Sequence, residues 1–203
     1  MNFNRTEFWK DPDNSDQPQG IINICCPEFY LNLTGITGLI VDTLKKYVLF
    51  DDSIVELGCG TGRNLAGLKG AGFENLFGID ISEKAIQVGR DVFPLLENIT
   101  IECSAVEDTI KKLSKCDCIF TQGFLQHLPP DIDWIHKTMT MKARKVIMII
   151  ENERPHGERS WARDYKKIFM DLGWIEVDSK INTNQRGHSP TTALRVFCKQ
   201  EIL

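Results

Sequence analysis

The chain has 203 residues, a formal net charge of −4 and an ordinary share of apolar residues, which suits one domain with a full core. That charge excludes a global basic field of the kind that recruits nucleic acid or anionic membrane, and the apolar runs are too short to span a bilayer. The opening residues are polar, with Asp11, Asp13 and Asp16, which argues against a secretory signal. Seven cysteines stand at 25, 26, 59, 103, 116, 118 and 198, with no C-x-x-C pair. Cys59, Cys103, Cys118 and Cys198 fall in or beside predicted strands, where a free thiol acts as a small hydrophobe. No metal site is expected from this pattern, and a reducing, cytoplasmic setting is.

Residues 1–33 read as an irregular arm interrupted by Pro12, Pro18 and Pro27. It is taken as a flap over a single domain formed by residues 34–203, with a purely packing strap as the alternative. Ile36, Leu39, Ile40, Leu44 and Tyr47 recur at helical spacing and predict a helix over 34–47. Ser53-Ile54-Val55 is a first strand, followed by glycines at 58, 60 and 62 and then by Leu65 and Leu68 at helical spacing. This strand, glycine turn and helix let a ligand lie against main chain at a helix N-terminus. Asn75–Asp80 is a second strand ending in an acid, and Ser82 is a good cap for a helix that stops near Pro94. Ile99–Cys103 and Cys116–Thr121 are further strands, separated by a short helix over 106–113. A weak helix over 131–141 precedes a fifth strand, Lys145–Ile150, apolar throughout and so buried on both faces.

Ser160 is expected to cap a helix carrying Trp161, Tyr165, Ile168, Phe169 and Leu172, closed by Gly173. Trp174–Asp178 and Thr192–Lys199 have no helix between them and are expected to form an antiparallel hairpin. The alternation upstream predicts an α/β fold with a parallel sheet and helices on both faces. Ligands of such sheets sit beyond the carboxyl ends of the strands. The segments to examine are therefore 58–64, 80–82, 104–107, 121–128, 151–157 and the loop 179–190.

A dinucleotide-binding turn wants its third glycine at position 63, which is Arg63 here. Glu56, inside the end of the first strand, would repel a pyrophosphate and attract the amino group of a bound amino acid. Val-Glu-Leu-Gly-Cys-Gly-Thr-Gly-Arg-Asn, followed by Gly-Ile-Asp-Ile-Ser, resembles the class I S-adenosylmethionine-dependent methyltransferases. The resemblance covers about residues 50–150 closely. It implies a Rossmann-like seven-stranded sheet of order 3-2-1-4-5-7-6 with strand 7 antiparallel, in agreement with the terminal hairpin. It further implies that S-adenosylmethionine binds and leaves as S-adenosylhomocysteine.

By that resemblance, Gly58, Cys59 and Gly60 contact the methionyl part of the cofactor, with Glu56 nearby. Asp80 accepts both ribose hydroxyls, Ile81 lies against the adenine, and Gln122 sits beneath the methionine portion. Asn64 is assigned to the cofactor side as well, although solvent exposure on the first helical turn is the competing reading for it and for Arg63. The family often carries an Asp after the third strand where this chain has Ser104, which leaves Ala105, Val106 and Glu107 for the adenine. Methyl transfer is an in-line displacement that needs alignment, exclusion of water and, for some acceptors, a base. His127 and Glu151 are the expected catalytic residues, with Glu153, His156, Arg186 and His188 also near the strand ends. The absence of Asn/Asp-Pro-Pro-Tyr after strand 4, together with the acidic charge, disfavours nucleic-acid targets.

The expected function is methyl transfer to an oxygen or nitrogen of a small metabolite, for example a sugar derivative or natural-product intermediate, by a soluble monomer or homodimer. A protein or RNA methyltransferase and a non-catalytic cofactor-binding scaffold are the alternatives; Arg63 disfavours a dehydrogenase.

Overall fold

A computed structural model describes residues 5–10, 27, 31, 34–154, 159–181 and 191–200. Seven strands make one sheet of order β3-β2-β1-β4-β5-β7-β6. They are β1 (Ser53–Leu57), β2 (Asn75–Asp80), β3 (Thr100–Cys103), β4 (Cys116–Gln122), β5 (Ala143–Asn152), β6 (Trp174–Ile181) and β7 (Thr192–Lys199). Strands β1 to β5 pair in parallel, whereas β7 pairs antiparallel with both β5 and β6. The expected order and the antiparallel seventh strand are both present.

Seven α-helices accompany the sheet among the described residues: α1 (Arg5–Lys10), α2 (Thr34–Leu44), α3 (Arg63–Gly70), α4 (Glu83–Val92), α5 (Val106–Thr109), α6 (Trp134–Lys142) and α7 (Tyr165–Asp171). Side chains alternate across the strands, so the sheet builds a core on each face. Ile54, Phe120, Met148 and Val196 join Ile36, Ile40, Leu44, Leu65 and Leu68 of α2 and α3 on one face. Val55, Leu57, Ile119, Ile147 and Ile149 meet Ile135, Met139, Tyr165 and Phe169 of α6 and α7 on the other.

Three expectations change. The helix after β5 begins at Tyr165, capped by Asp164, whose side chain accepts from Lys167 N at 2.9 Å; Ser160 is not its cap. Residues 161–164 stay outside the helix, where Arg163 reaches across to the loop after β4. The helix after β3 ends at Thr109. Cys103 is exposed, because β3 is an edge strand with little cover, whereas Cys59, Cys118 and Cys198 are buried. Of the arm, only α1, Pro27 and Leu31 are described, and the remainder of residues 1–33 lies outside the described residues. No helix among the described residues is long and apolar enough to cross a membrane.

Candidate active site

The chain leaves β1 and β4, neighbours at the centre of the sheet, toward opposite sides, and this switch point opens a crevice at their carboxyl ends. On the β1 side, Gly58, Gly60 and Gly62 all take positive φ, 70°, 54° and 69°. The Gly58 and Cys59 N–H groups donate to the Ile79 carbonyl at 2.8 and 3.0 Å, which ties the turn to β2. Gly60 N donates to Asp80 Oδ2 at 2.7 Å and Ser82 N to Oδ1 at 2.8 Å. Each Asp80 oxygen keeps acceptor capacity beyond these bonds. Helix α4 presses on the turn at Gly89, where a Cβ would meet the Thr61 carbonyl oxygen at 1.8 Å. The Cys59 side chain is buried, so what this residue offers the crevice is backbone.

Beneath the turn lies a buried polar chain. Glu56 is 1% exposed; Oε1 accepts from Asn64 Nδ2 at 2.7 Å, and Oε2 is buried without a partner among the described residues. Burial pushes the Glu56 carboxyl up to about 8, against the pull of the Asn64 bond and the Arg63 charge, with Asp80 adding to the rise. Arg63 and Asn64 are themselves buried, so the solvent-facing reading is wrong for both. The Arg63 Nη2 donates to Gln122 Oε1 at 2.9 Å and Nε to Thr37 Oγ1 at 3.0 Å, which joins the ends of β1 and β4 to α2. A polar pair on a first helical turn looks exposed in sequence; the carboxylate and threonine that bury it come from β1 and α2.

After β3, Ser104 Oγ, Thr109 Oγ1 and Glu102 form a closed hydrogen-bonded cluster, and Ser104 N donates to the Asp80 carbonyl. Ile81 and Ala105 are half-buried beside it. Val106 is 3% exposed and packs in the second core, so its side chain is committed there.

On the β4 side, Glu151 is fully buried at the end of β5. Its Oε1 accepts from Thr121 Oγ1 at 2.7 Å and from the N–H groups of Phe124 and Leu125, both at 3.1 Å; Oε2 accepts from Gln126 N at 3.2 Å. Burial raises its carboxyl and these four donors oppose the rise. The carbonyls of the same loop face Arg163, which donates to Leu125 O at 3.3 Å and Leu128 O at 2.6 Å and pairs with Asp133. A buried anion and a buried cation therefore hold the two polarities of one loop backbone. This geometry replaces the expected base at Glu151 with an anchor, since its oxygens are directed at the loop.

His127 rides on that loop. Its Nδ1 lies 2.9 Å from the Arg159 carbonyl, which can only accept, so Nδ1 carries the proton. The lone pair of Nε2 then receives Gln126 Nε2–H at 3.0 Å. Burial lowers the imidazole pKa, opposed by the Arg159 bond, and the ring is neutral near pH 7. Both nitrogens are occupied in this arrangement. The Trp9 indole of α1 lies over the ring at 4.9 Å between centroids, and Arg159 lies 4.1 Å from the Phe8 ring centre. At the residue after Trp9, α1 takes a bond from Ser82 Oγ onto the Lys10 carbonyl at 3.2 Å. Glu153 is held by Arg195 through Nε at 2.6 Å and Nη2 at 2.8 Å. His156, Arg186 and His188 lie outside the described residues. Thr37, Gln126, Arg163 and Trp9 escaped the sequence reading because each gains its role from a partner distant in the chain.

Residues 54–143 match a family model described as a methyltransferase domain. The magnesium protoporphyrin IX methyltransferase of Synechocystis, solved with bound S-adenosylmethionine, superposes with a TM-score of 0.68 at 13% identity, over 98% of each chain. The methyltransferase domain of bacterial CtHen1 gives 0.62 at 19% identity, over 82% of this chain and 100% of that one. Over residues 54–143 the chain is thus similar to the methyltransferase-domain family, and its fold is that of S-adenosylmethionine-dependent methyltransferases.

An O-methyltransferase family protein of Burkholderia thailandensis gives 0.63 at 8% identity, over 96% of this chain and 68% of its own. No curated protein matches the chain in sequence. At these identities the structural likeness speaks for the fold, and the residues present must speak for the cofactor. They fit it in two respects. Glu56 Oε2 is a buried acceptor lacking a donor, suited to an ammonium. Gly60 opens onto space, with no atom of the described residues within 4 Å of where a Cβ would stand, so a ligand can approach the main chain there.

Proposed function

We propose that this methyltransferase transfers the methyl group of S-adenosylmethionine to an oxygen or nitrogen of a small metabolite. The observation that carries the small acceptor is the last turn of α1, whose Trp9 packs on His127 on the acceptor side while its Lys10 carbonyl takes a bond from Ser82 on the cofactor side. A helix in that place leaves little room for a folded protein or a duplex. The magnesium protoporphyrin IX enzyme and the O-methyltransferase family protein, both similar in fold, support an acceptor of this class.

The cofactor supplies an electrophilic methyl group without a metal, and the chain must bind, align and exclude water. Asp80 would hold the ribose hydroxyls and Glu56 the ammonium. The backbone of Gly58, Cys59 and Gly60 would lie along the methionyl chain, above Gln122. Ile81 and the backbone of Ala105 and Val106 would border the adenine. Asn64 would act through Glu56. On the acceptor side the loop anchored by Glu151 and Arg163 presents Gln126 and His127. For His127 to take a proton, Gln126 must swing away from Nε2.

Calorimetric titration with S-adenosylmethionine and S-adenosylhomocysteine, followed by an acceptor screen read by formation of S-adenosylhomocysteine, tests this function. Trp9→Ala is expected to raise the acceptor KM several-fold and leave the cofactor Kd within about twofold, because the Trp9 ring packs on the acceptor-side His127 and on Phe8 of its own helix. Binding of neither cofactor form overturns the reading. Turnover of RNA or protein but of no small acceptor overturns the acceptor class.

A further inference from the structure

We propose that Thr37, on α2 and outside the glycine-turn motif, is a positioning residue for the amino-acid end of the cofactor. Its role rests on S-adenosylmethionine being the ligand. The hydrogen-bond directions carry the inference. Arg63 can only donate, so its Nε–H, 3.0 Å away, makes Thr37 Oγ1 an acceptor. The Thr37 hydroxyl hydrogen is then free for Asn64 Oδ1, at 2.9 Å. With its oxygen turned that way, the Asn64 amide must point Nδ2 at Glu56 Oε1, at 2.7 Å. The chain runs one way, from guanidinium to hydroxyl to amide to carboxylate, and it ends with Glu56 Oε2 buried and without a donor among the described residues.

Arg63 also approaches Asn64 Oδ1 directly, but at 3.3 and 3.4 Å, longer than either Thr37 bond. Thr37 is thus the short link that sets the amide orientation and fixes the guanidinium at once. Packing independently holds it there. A Cβ on Gly67 of α3 would meet Thr37 Cγ2 at 2.2 Å, so this glycine lets α2 come close enough for the hydroxyl to reach Arg63 and Asn64. The methyl fills a notch in α3 while the hydroxyl faces the polar chain. A serine would keep the relay, whereas a valine would keep the packing and lose it.

The experiment compares two ligands. S-adenosylhomocysteine carries the amino-acid end; 5′-methylthioadenosine lacks it and shares the nucleoside. Thr37→Val is expected to raise the Kd of S-adenosylhomocysteine about tenfold, the scale of one lost polar link, and to leave that of methylthioadenosine within about twofold. Thr37→Ser is expected to restore the wild-type value. Thr37→Ala, with a thermal unfolding curve, takes the place of Thr37→Val if the valine does not fold, and the same ligand contrast is expected. Equal weakening of both ligands means a merely structural role and overturns the proposal, as does unchanged binding of S-adenosylhomocysteine. Failure of the wild-type protein to bind either ligand overturns the cofactor reading itself, a separate and recognisable result.

Discussion

Two carboxylates stand at the ends of parallel strands on either side of the crevice, Glu56 on β1 and Glu151 on β5, and both are buried. Burial raises the pKa of each. Their surroundings differ. Glu151 collects four donors from Thr121 and the loop after β4. Glu56 collects one, from Asn64, and keeps an oxygen without any. A saturated carboxylate holds its own protein together. One left short in the folded state has capacity for something that arrives later, at a cost to the stability of the empty form.

The sharpest break in that comparison is Glu151→Ala. It would strand the buried Leu125 N–H, the part-buried N–H groups of Phe124 and Gln126 and the Thr121 hydroxyl, and a loss of about 3 kcal/mol is expected in denaturant unfolding. A loss below about 1 kcal/mol would mean that the loop stands without its anchor.

Glu56→Gln should do the opposite. Apo stability near neutral pH should be kept or raised, since the amide escapes the pH-dependent cost of holding the carboxyl protonated, while the affinity for S-adenosylmethionine falls roughly tenfold to a hundredfold, the scale of a charged hydrogen bond. Isothermal titration would show it, and intact affinity would remove Glu56 from the cofactor site.

The proton on Glu56 gives a third measurement. The folded carboxyl titrates near 8 and the ordinary one near 4.5, so the folded state holds its proton through that window while the unfolded state has lost it. Folding stability from this group therefore falls as pH rises from about 4.5 to about 8 and is level beyond. The difference between wild type and Glu56→Gln should show that slope. Binding of an ammonium favours the ionised form, so wild-type affinity should tighten as pH rises from 6 toward 8, by up to about tenfold per pH unit. One proton should be released, measurable in buffers of different ionisation enthalpy. A pH-independent affinity would contradict the ammonium assignment.

The smallest effect is expected at His127. His127→Phe keeps a ring under Trp9 and loses the bonds to Arg159 and Gln126, at a cost of about 1 kcal/mol in stability with the cofactor Kd unchanged. A loss of turnover far beyond any change in acceptor KM would return it to the role of base.

Most of the architecture was legible in the chain because it is written in short-range pattern. Apolar residues at strand and helix periods, Ser82 before α4 and the glycines after β1 each act within a few residues of themselves. Helix α7 does not start at Ser160 because Arg163 is drawn away to Leu125 and Leu128, a demand that propensity does not record. Solvent exposure is the competing reading for Arg63 and Asn64 because polar residues on a first turn are usually so; Thr37, Glu56 and Gln122 bury them.

The sequence by itself determined the glycine turn, the acid after β2 and the terminal hairpin, and the resemblance these carry implied the sheet order that the structure has. Only the tertiary structure decided which acids are spent and which are left. A residue's type states what bonds it can make, and its partners decide how many it does make. Glu151 meets its partners across 25 to 30 residues of chain, and Arg63 meets Gln122 across 59. Contacts at that range are set by how the strands are ordered and paired, and no local pattern around Glu56 or Glu151 encodes them.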